Sequence, residues 1–366
     1  MKKSLCLFIC FILAVMTLVG CSNTTADKDK VNVGNSDTKV ADKGEVSEEK
    51  DKSSKKYNLS FEKTEFSIRN PYISDGVFVV NFEDKTYNFS DLNGKLISKD
   101  NYLDVVAGFS EGYAFVVDKD KKGYYIDNKG KKVIETVNGE KIKVGDIFVK
   151  GVAKVFLNSN KEVSIDKSGK ICPPVEKKYK EYSVAGNYYT DNKNYGLFDE
   201  KNNKALTKLI YKNVTRFAGN KALVVDMNDN LLLIYVKGDV IVNLSEKFPN
   251  IDIEDIDDIS KDCFAVNFKD DTYSKIIDLS GNVVAETEFS HIGKFEDGFA
   301  ICEKGDKFGC TDKNGNEVIA TKYNNISNIY AENNMHFALV QDGEVWSICT
   351  ITVSYTHLTL PTKRIV

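Results

Sequence analysis

Arginine, proline, tryptophan and histidine are scarce in this chain. Its 366 residues include three Arg against 47 Lys, five Pro, one Trp and three His. So few arginines read as the codon bias of an AT-rich genome, and with a formal net charge of −4 a basic nucleic-acid surface is disfavoured. Neither His291 nor His336 has a His or Cys neighbour at metal-ligand spacing, which argues against a zinc site. No G-x-S-x-G, Walker or dinucleotide fingerprint occurs. With no catalytic residues, metal site or cofactor to assign, the chain is expected not to be an enzyme. What it does have is 40 aromatic residues and 28% charged positions. That composition excludes a disordered or coiled-coil chain and suffices for one large domain or two ordinary ones.

Regularly spaced cysteines are also missing. Beyond residue 21 the chain holds Cys172, Cys263, Cys302, Cys310 and Cys349, an odd set that argues against a disulfide framework. Cys302 and Cys310 flank one hairpin turn. They read as small apolar residues on a buried strand face, with a bridge between them as the alternative.

Both ends of the chain differ from its middle. Lys2 and Lys3 precede an apolar stretch from Leu5 to Val19, short for a spanning helix and right for a secretory signal. Leu18-Val19-Gly20-Cys21 then resembles the lipobox of bacterial lipoproteins. The resemblance implies cleavage between Gly20 and Cys21 and a diacylglycerol thioether on Cys21, which attaches the mature chain to a membrane. Residues Ser22 to Lys56 carry eight acids, eight Lys, no aromatic and no Leu, Ile or Met. Such a segment cannot repay its ordering entropy and is expected to be a disordered tether, spanning roughly 30 Å as a coil. At the other end, Val353 to Thr362 resembles the in-frame translation of a sequencing-library adaptor. That implies a natural chain continuing past Thr352. Without Lys2, Lys3, Lys363 and Arg364 the formal charge is −8.

Between these ends the chain repeats. Asp91-Leu-Asn-Gly94, Asp127-Asn-Lys-Gly130, Asp166-Lys-Ser-Gly169, Asp278-Leu-Ser-Gly281 and Asp312-Lys-Asn-Gly315 share a D-x-x-G turn, with weaker copies at Asp199 and Tyr235. Successive first positions lie 36, 39, 33, 36, 43 and 34 residues apart, which marks a repeat array of about 37 residues per unit. Upstream of each turn lie alternating runs such as Tyr113-Ala-Phe-Val-Val117 and Phe299-Ala-Ile-Cys302, which predict half-buried strands. A short third strand follows, as in Lys132-Val-Ile134. Each unit closes on a Val/Ile-x-x-Phe stretch: Val106 to Phe109, Val214 to Phe217, Ile292 to Phe295.

These units resemble the WG-repeat family of bacterial proteins, whose pattern runs roughly F-x-E-G-x-A-x-V, then W-G-Y-I-D-x-x-G-K-x-V-I. The opening motif stands in Phe109-Ser-Glu-Gly-Tyr-Ala114 and Phe295-Glu-Asp-Gly-Phe-Ala300. The aromatic-Gly pair stands in Tyr195-Gly196 and Phe308-Gly309, and weakened in Tyr273-Ser274 and Trp346-Ser347. The expected organisation is a signal over 1–20, a lipidated Cys and tether over 21–57, an all-β domain over 58–352 of seven repeats and a truncated eighth, and an adaptor-derived tail over 353–366. The expected fold is a β-propeller, with a β-solenoid as the alternative.

The resulting expectation is a lipoprotein of the cell envelope, on the outer side of the plasma membrane, or on the outer membrane in a Gram-negative host. It would display the repeats as a protein-interaction or binding scaffold; glycan binding or degradation through exposed Tyr and Phe is the alternative. Protein partners or envelope glycans are expected, and nucleic acid is not. Asp252, Glu254, Asp255, Asp257 and Asp258 lie in the longest inter-repeat gap, and Asp118-Lys-Asp120 begins like a calcium loop. Both read first as solvated loops, since Lys121 and Lys122 would oppose a dication at the second.

Overall fold

The computed structural model describes residues 55–175, 177–269 and 273–355. Gly20, Cys21, the signal segment and the tether up to residue 54 lie outside the described residues, as does the tail from 356.

Each repeat folds as an antiparallel meander. In sheet II, Asp104–Val105, Tyr113–Val117, Gly123–Asp127 and Lys132–Ile134 pair in chain order. Sheets III (136–171), V (211–243) and VII (291–323) repeat the plan. Sheet I is built on Val77–Asn81 and Tyr87–Asp91, extended by the bridges Ser67 to Asn81 and Ser90 to Leu96. Sheet VI is built on Cys263–Val266, Lys275–Asp278 and Val283–Glu286, extended by the bridge Ile251 to Phe268. The strand ladder of sheet IV (177–205) joins that of sheet V through the single pair Tyr195 and Tyr211.

Sheet VIII joins the two ends of the described chain. Asn325–Ile326, Tyr330–Glu332, Met335–Asp342 and Val345–Tyr355 supply four strands, and the N-terminal strand Lys55–Lys63 supplies the fifth. It pairs antiparallel with Val345–Tyr355 over nine residues, from Lys55 opposite Tyr355 to Lys63 opposite Ser347. The eighth unit, short when read along the sequence, is thereby completed from the other end. The paired strands also run three residues beyond the expected domain limits of 58 and 352 on each side.

In sheets that pack between two others the central strands are buried on both faces, as in Tyr113–Val117 and Lys221–Asp226, whereas Val152–Leu157 of sheet III alternates between buried and half-buried positions. Phe115 faces the core shared with sheet III, while its neighbours Ala114 and Val116 face the core shared with sheet I. Likewise Leu223 and Val225 pack against sheet VI and Val224 against sheet IV. Further cores join VI to VII, VII to VIII, and VIII back to I, where Phe78 and Val80 meet Leu339, Trp346 and Ile348. Asn328 reinforces that last junction, accepting from Ile73 N–H at 2.8 Å and donating to Ile73 O at 2.9 Å. Among the described residues eight antiparallel sheets follow one another in chain order, seven shared cores join neighbouring sheets, and the last sheet packs on the first, as in a β-propeller. A solenoid would instead stack its coils through long parallel ladders and leave its ends apart.

Two repeated residues owe their place to backbone geometry. The D-x-x-G aspartate accepts two backbone N–H groups, as Asp127 Oδ1 does from Lys129 at 3.0 Å and Lys131 at 2.9 Å, while Gly130 takes φ +76°. The aromatic-Gly glycine leaves room for a neighbouring strand. A Cβ on Gly309 would lie 2.5 Å from Ile319 O, and one on Gly196 would lie 2.8 Å from Lys208 O. No side chain fits there without displacing backbone.

Candidate functional site

The repeated aspartates are turn formers, and the calcium-like stretch at 118 belongs with them. Asp118 Oδ1 accepts from Asp120 N–H at 3.0 Å and Lys122 N–H at 2.9 Å, and Lys122 Nζ pairs with Asp120 at 2.9 Å. Among the described residues no group of three or more acidic, His or Cys side chains is arranged to hold a metal ion. The hairpin cysteines are separated by register. Cys310 pairs with Ile301 and Cys302 with Gly309, so the two thiols project to opposite faces, one into the VII–VIII core and the other into the VI–VII core. A bridge between them is excluded, and both are free. Burial pushes the Cys302 and Cys349 thiols up to about 12, far from a reactive thiolate.

The cluster at 252–258 is where the molecule departs from its repeat. This stretch stands where other units present Val/Ile-x-x-Phe, and it places charges between sheets V, VI and VII. On one side, Arg216 of sheet V donates its backbone N–H to Asp258 Oδ1 at 2.7 Å and its Nε to Asp258 Oδ2 at 2.8 Å. On the other, His291 of sheet VII sets its Nε2 3.1 Å from Asp255 Oδ2, with Nδ1 3.9 Å from Glu303. Asp257 is aimed at the same junction: a Cβ on Gly293 would lie 3.5 Å from its Oδ2.

A saturated amide network supports this cluster from beneath. Asn267 is buried, and its Nδ2 donates to Asp255 Oδ2 at 3.1 Å and to Ile292 O at 3.3 Å. Its Oδ1 accepts from Ile292 N–H at 3.1 Å and from Ser274 Oγ at 2.7 Å. Both donors and both acceptor positions of the amide are used, which makes the unit rigid. Ser274 is the residue that replaces glycine in the aromatic-Gly pair, so the substitution that weakens the repeat installs the hydroxyl that completes the network.

Charge states follow from these contacts. The hydrogen bond and charge of His291 hold the Asp255 carboxyl below the usual range, outweighing burial. Burial pushes Asp257 up, with Asp255 and Asp258 adding to the effect. For His291, burial favours the neutral ring, but Asp255, Glu303 and Asp257 outweigh it and raise its pKa. His336 goes the other way, lowered by burial, its ring 4.6 Å from that of Phe299 and its Nδ1 without a hydrogen-bond partner. The arrangement is an acidic surface with one arginine and one titratable cation set into it.

Sequence reading found the five acids of 252–258 and singled out His291, but not Arg216, Asn267 or Ser274 as their partners. Two signals pointed that way: an Asn inside the apolar run Phe264-Ala-Val-Asn-Phe268, and Ser in place of the repeat glycine.

Residues 276–308 and 308–346 match the family described as WG containing repeat. No curated protein matches the chain in sequence. Among solved structures, the computationally designed Ika8 protein is 12% identical, aligning 78% of this chain with 97% of that one at a TM-score of 0.41. BamB from Moraxella catarrhalis is 11% identical over 78% and 83% at 0.35, and Sqt1 from Saccharomyces cerevisiae is 10% identical over 81% and 98% at 0.39. The chain thus carries WG-containing repeats over 276–346, within a propeller that its own strand pairing defines.

Proposed function

We propose that this protein is a lipoprotein of the cell envelope, held to the outer side of a membrane by a lipid on Cys21, and that its propeller is a binding scaffold for protein partners. The observation that carries the scaffold reading is the charged cluster of 252–258 with Arg216 and His291, between sheets V, VI and VII. The regular repeat positions serve turns, close strand approach and core, whereas here the repeat's apolar motif is replaced by acids, Arg216 and His291 set at the surface. The anchoring reading rests on Leu18-Val19-Gly20-Cys21 and on the polar spacer that runs from there to the strand at Lys55. The glycan alternative has less behind it: among described tyrosines, Tyr72, Tyr235 and Tyr273 are the exposed ones, on sheets I, V and VI.

Metabolic palmitate labelling of the native chain and of Cys21→Ala tests anchoring. Label and membrane retention are expected for the former only; equal labelling of both would remove the anchor from the proposal. For the scaffold, chemical cross-linking in intact cells should capture an envelope protein with the native chain and less of it with Asp257→Asn/Asp258→Asn. Binding to a glycan array with no such protein captured would favour the alternative.

A further inference from the structure

We propose that the 252–258 segment is a pH-dependent clasp joining sheets V, VI and VII, closed while the His291 imidazole carries a proton and loosened when it is neutral. Ile253, Ile256 and Ile259 seat the segment on the V–VI core, and its side-chain ties outward to sheets V and VII are ionic. Asp252 N–H donates to Asn267 O at 2.9 Å, but beyond it Asp255 is held by His291 and Asn267, and Asp258 by Arg216.

His291 stands among carboxylates from every packed element. Asp255 and Asp257 face it from the sheet VI segment and Glu303 from the second strand of its own sheet. The nearby cations are engaged elsewhere: Arg216 with Asp258, and Lys294 with Glu296 at 3.2 Å. The ring's side chain is 32% exposed, so protons reach it while part of its hydration is lost. A protonated imidazole donates from both nitrogens and offsets three acids. A neutral one donates from a single nitrogen and leaves those acids in mutual repulsion.

The direction follows from linkage. His291 has a raised pKa in the fold, so its contribution is fully present below its unfolded value, near 6.5, and is lost as pH rises through the folded value. Asp257, also raised, changes in the same sense. Asp255, lowered, keeps its contribution until strongly acid pH. The clasp is therefore closed in mildly acid surroundings and loosens on the alkaline side, turning the Asp255 and Asp257 carboxylates toward solvent.

Hydrogen exchange on the full-length chain between pH 6 and 8.5, corrected for intrinsic chemistry, reads this at the Asp252, Ile292 and Arg216 amides. Their protection is expected to fall by about two- to fivefold as His291 deprotonates, the range of a part-exposed ion pair, while sheet II amides hold theirs. In His291→Gln the low protection should be present at pH 6 and independent of pH. Flat protection in the native chain, or the same fall in His291→Gln, overturns the clasp. Glu303→Gln serves if that variant does not fold: a lower midpoint for the fall supports the clasp, and an unchanged midpoint overturns it.

Discussion

The junction of sheets II and III and the junction of sheets VI and VII are made from the same repeat and solve different problems. At the first, Phe115, Tyr125 and Phe148 pack edge to face at 5.1–5.2 Å, Ile142 and Ile165 fill the space around them, and the Tyr125 hydroxyl donates to Asp146 O at 2.7 Å. At the second, the core holds the smaller Cys263 and Cys302 beside Ile276, Ile292 and Phe295, and its border is the Asp255, Asp257 and His291 cluster on the Asn267 amide. Where the repeat pattern is kept, side chains build the ring; where it is broken, the replacements are polar and joined to one another.

If the first junction carries structure, truncating its centre should cost most. Phe148→Ala is expected to lower stability by about 3–5 kcal/mol in urea titration. A loss near 1 kcal/mol would mean that the aromatic cluster is not a solid core, and the contrast between the junctions would weaken. The next effect sharpens the contrast. Gly309→Ala should cost about 1–3 kcal/mol, because a methyl there meets Ile319 O. Ser274→Gly, which restores the repeat residue, should cost only about 1 kcal/mol, the worth of one hydroxyl bond. It should also free the Asn267 amide, read as faster exchange of the Ile292 N–H. Equal losses in the two variants would show that both positions serve packing alone.

The propeller, its pitch and most of its central strands were legible in the sequence, because the repeat spaces turns and apolar runs at a constant interval. Tyr113–Val117 and Lys132–Ile134 were predicted with the ends they have. Ring closure was not legible. Tyr57-Asn-Leu-Ser-Phe61 alternates like a strand, but it borders a polar block, and its partner lies almost 300 residues away at Val345–Tyr355. A partner chosen by ring geometry leaves no mark in local periodicity. The charged cluster was half legible for a related reason. Its acids are adjacent in sequence, whereas Arg216, Asn267 and His291 reach it from three different sheets.

Closure is the feature on which the ring and the two-faced packing of sheets VIII and I depend. Ser60 and Thr350 are direct partners across the closing strands. With Ser60→Cys and Thr350→Cys introduced together, mild oxidation of the monomer should give an intramolecular disulfide, seen as a reductant-reversible mobility shift and a higher melting temperature. A protein that forms no such bond, or forms it only between two chains, would contradict a propeller closed by its own first strand.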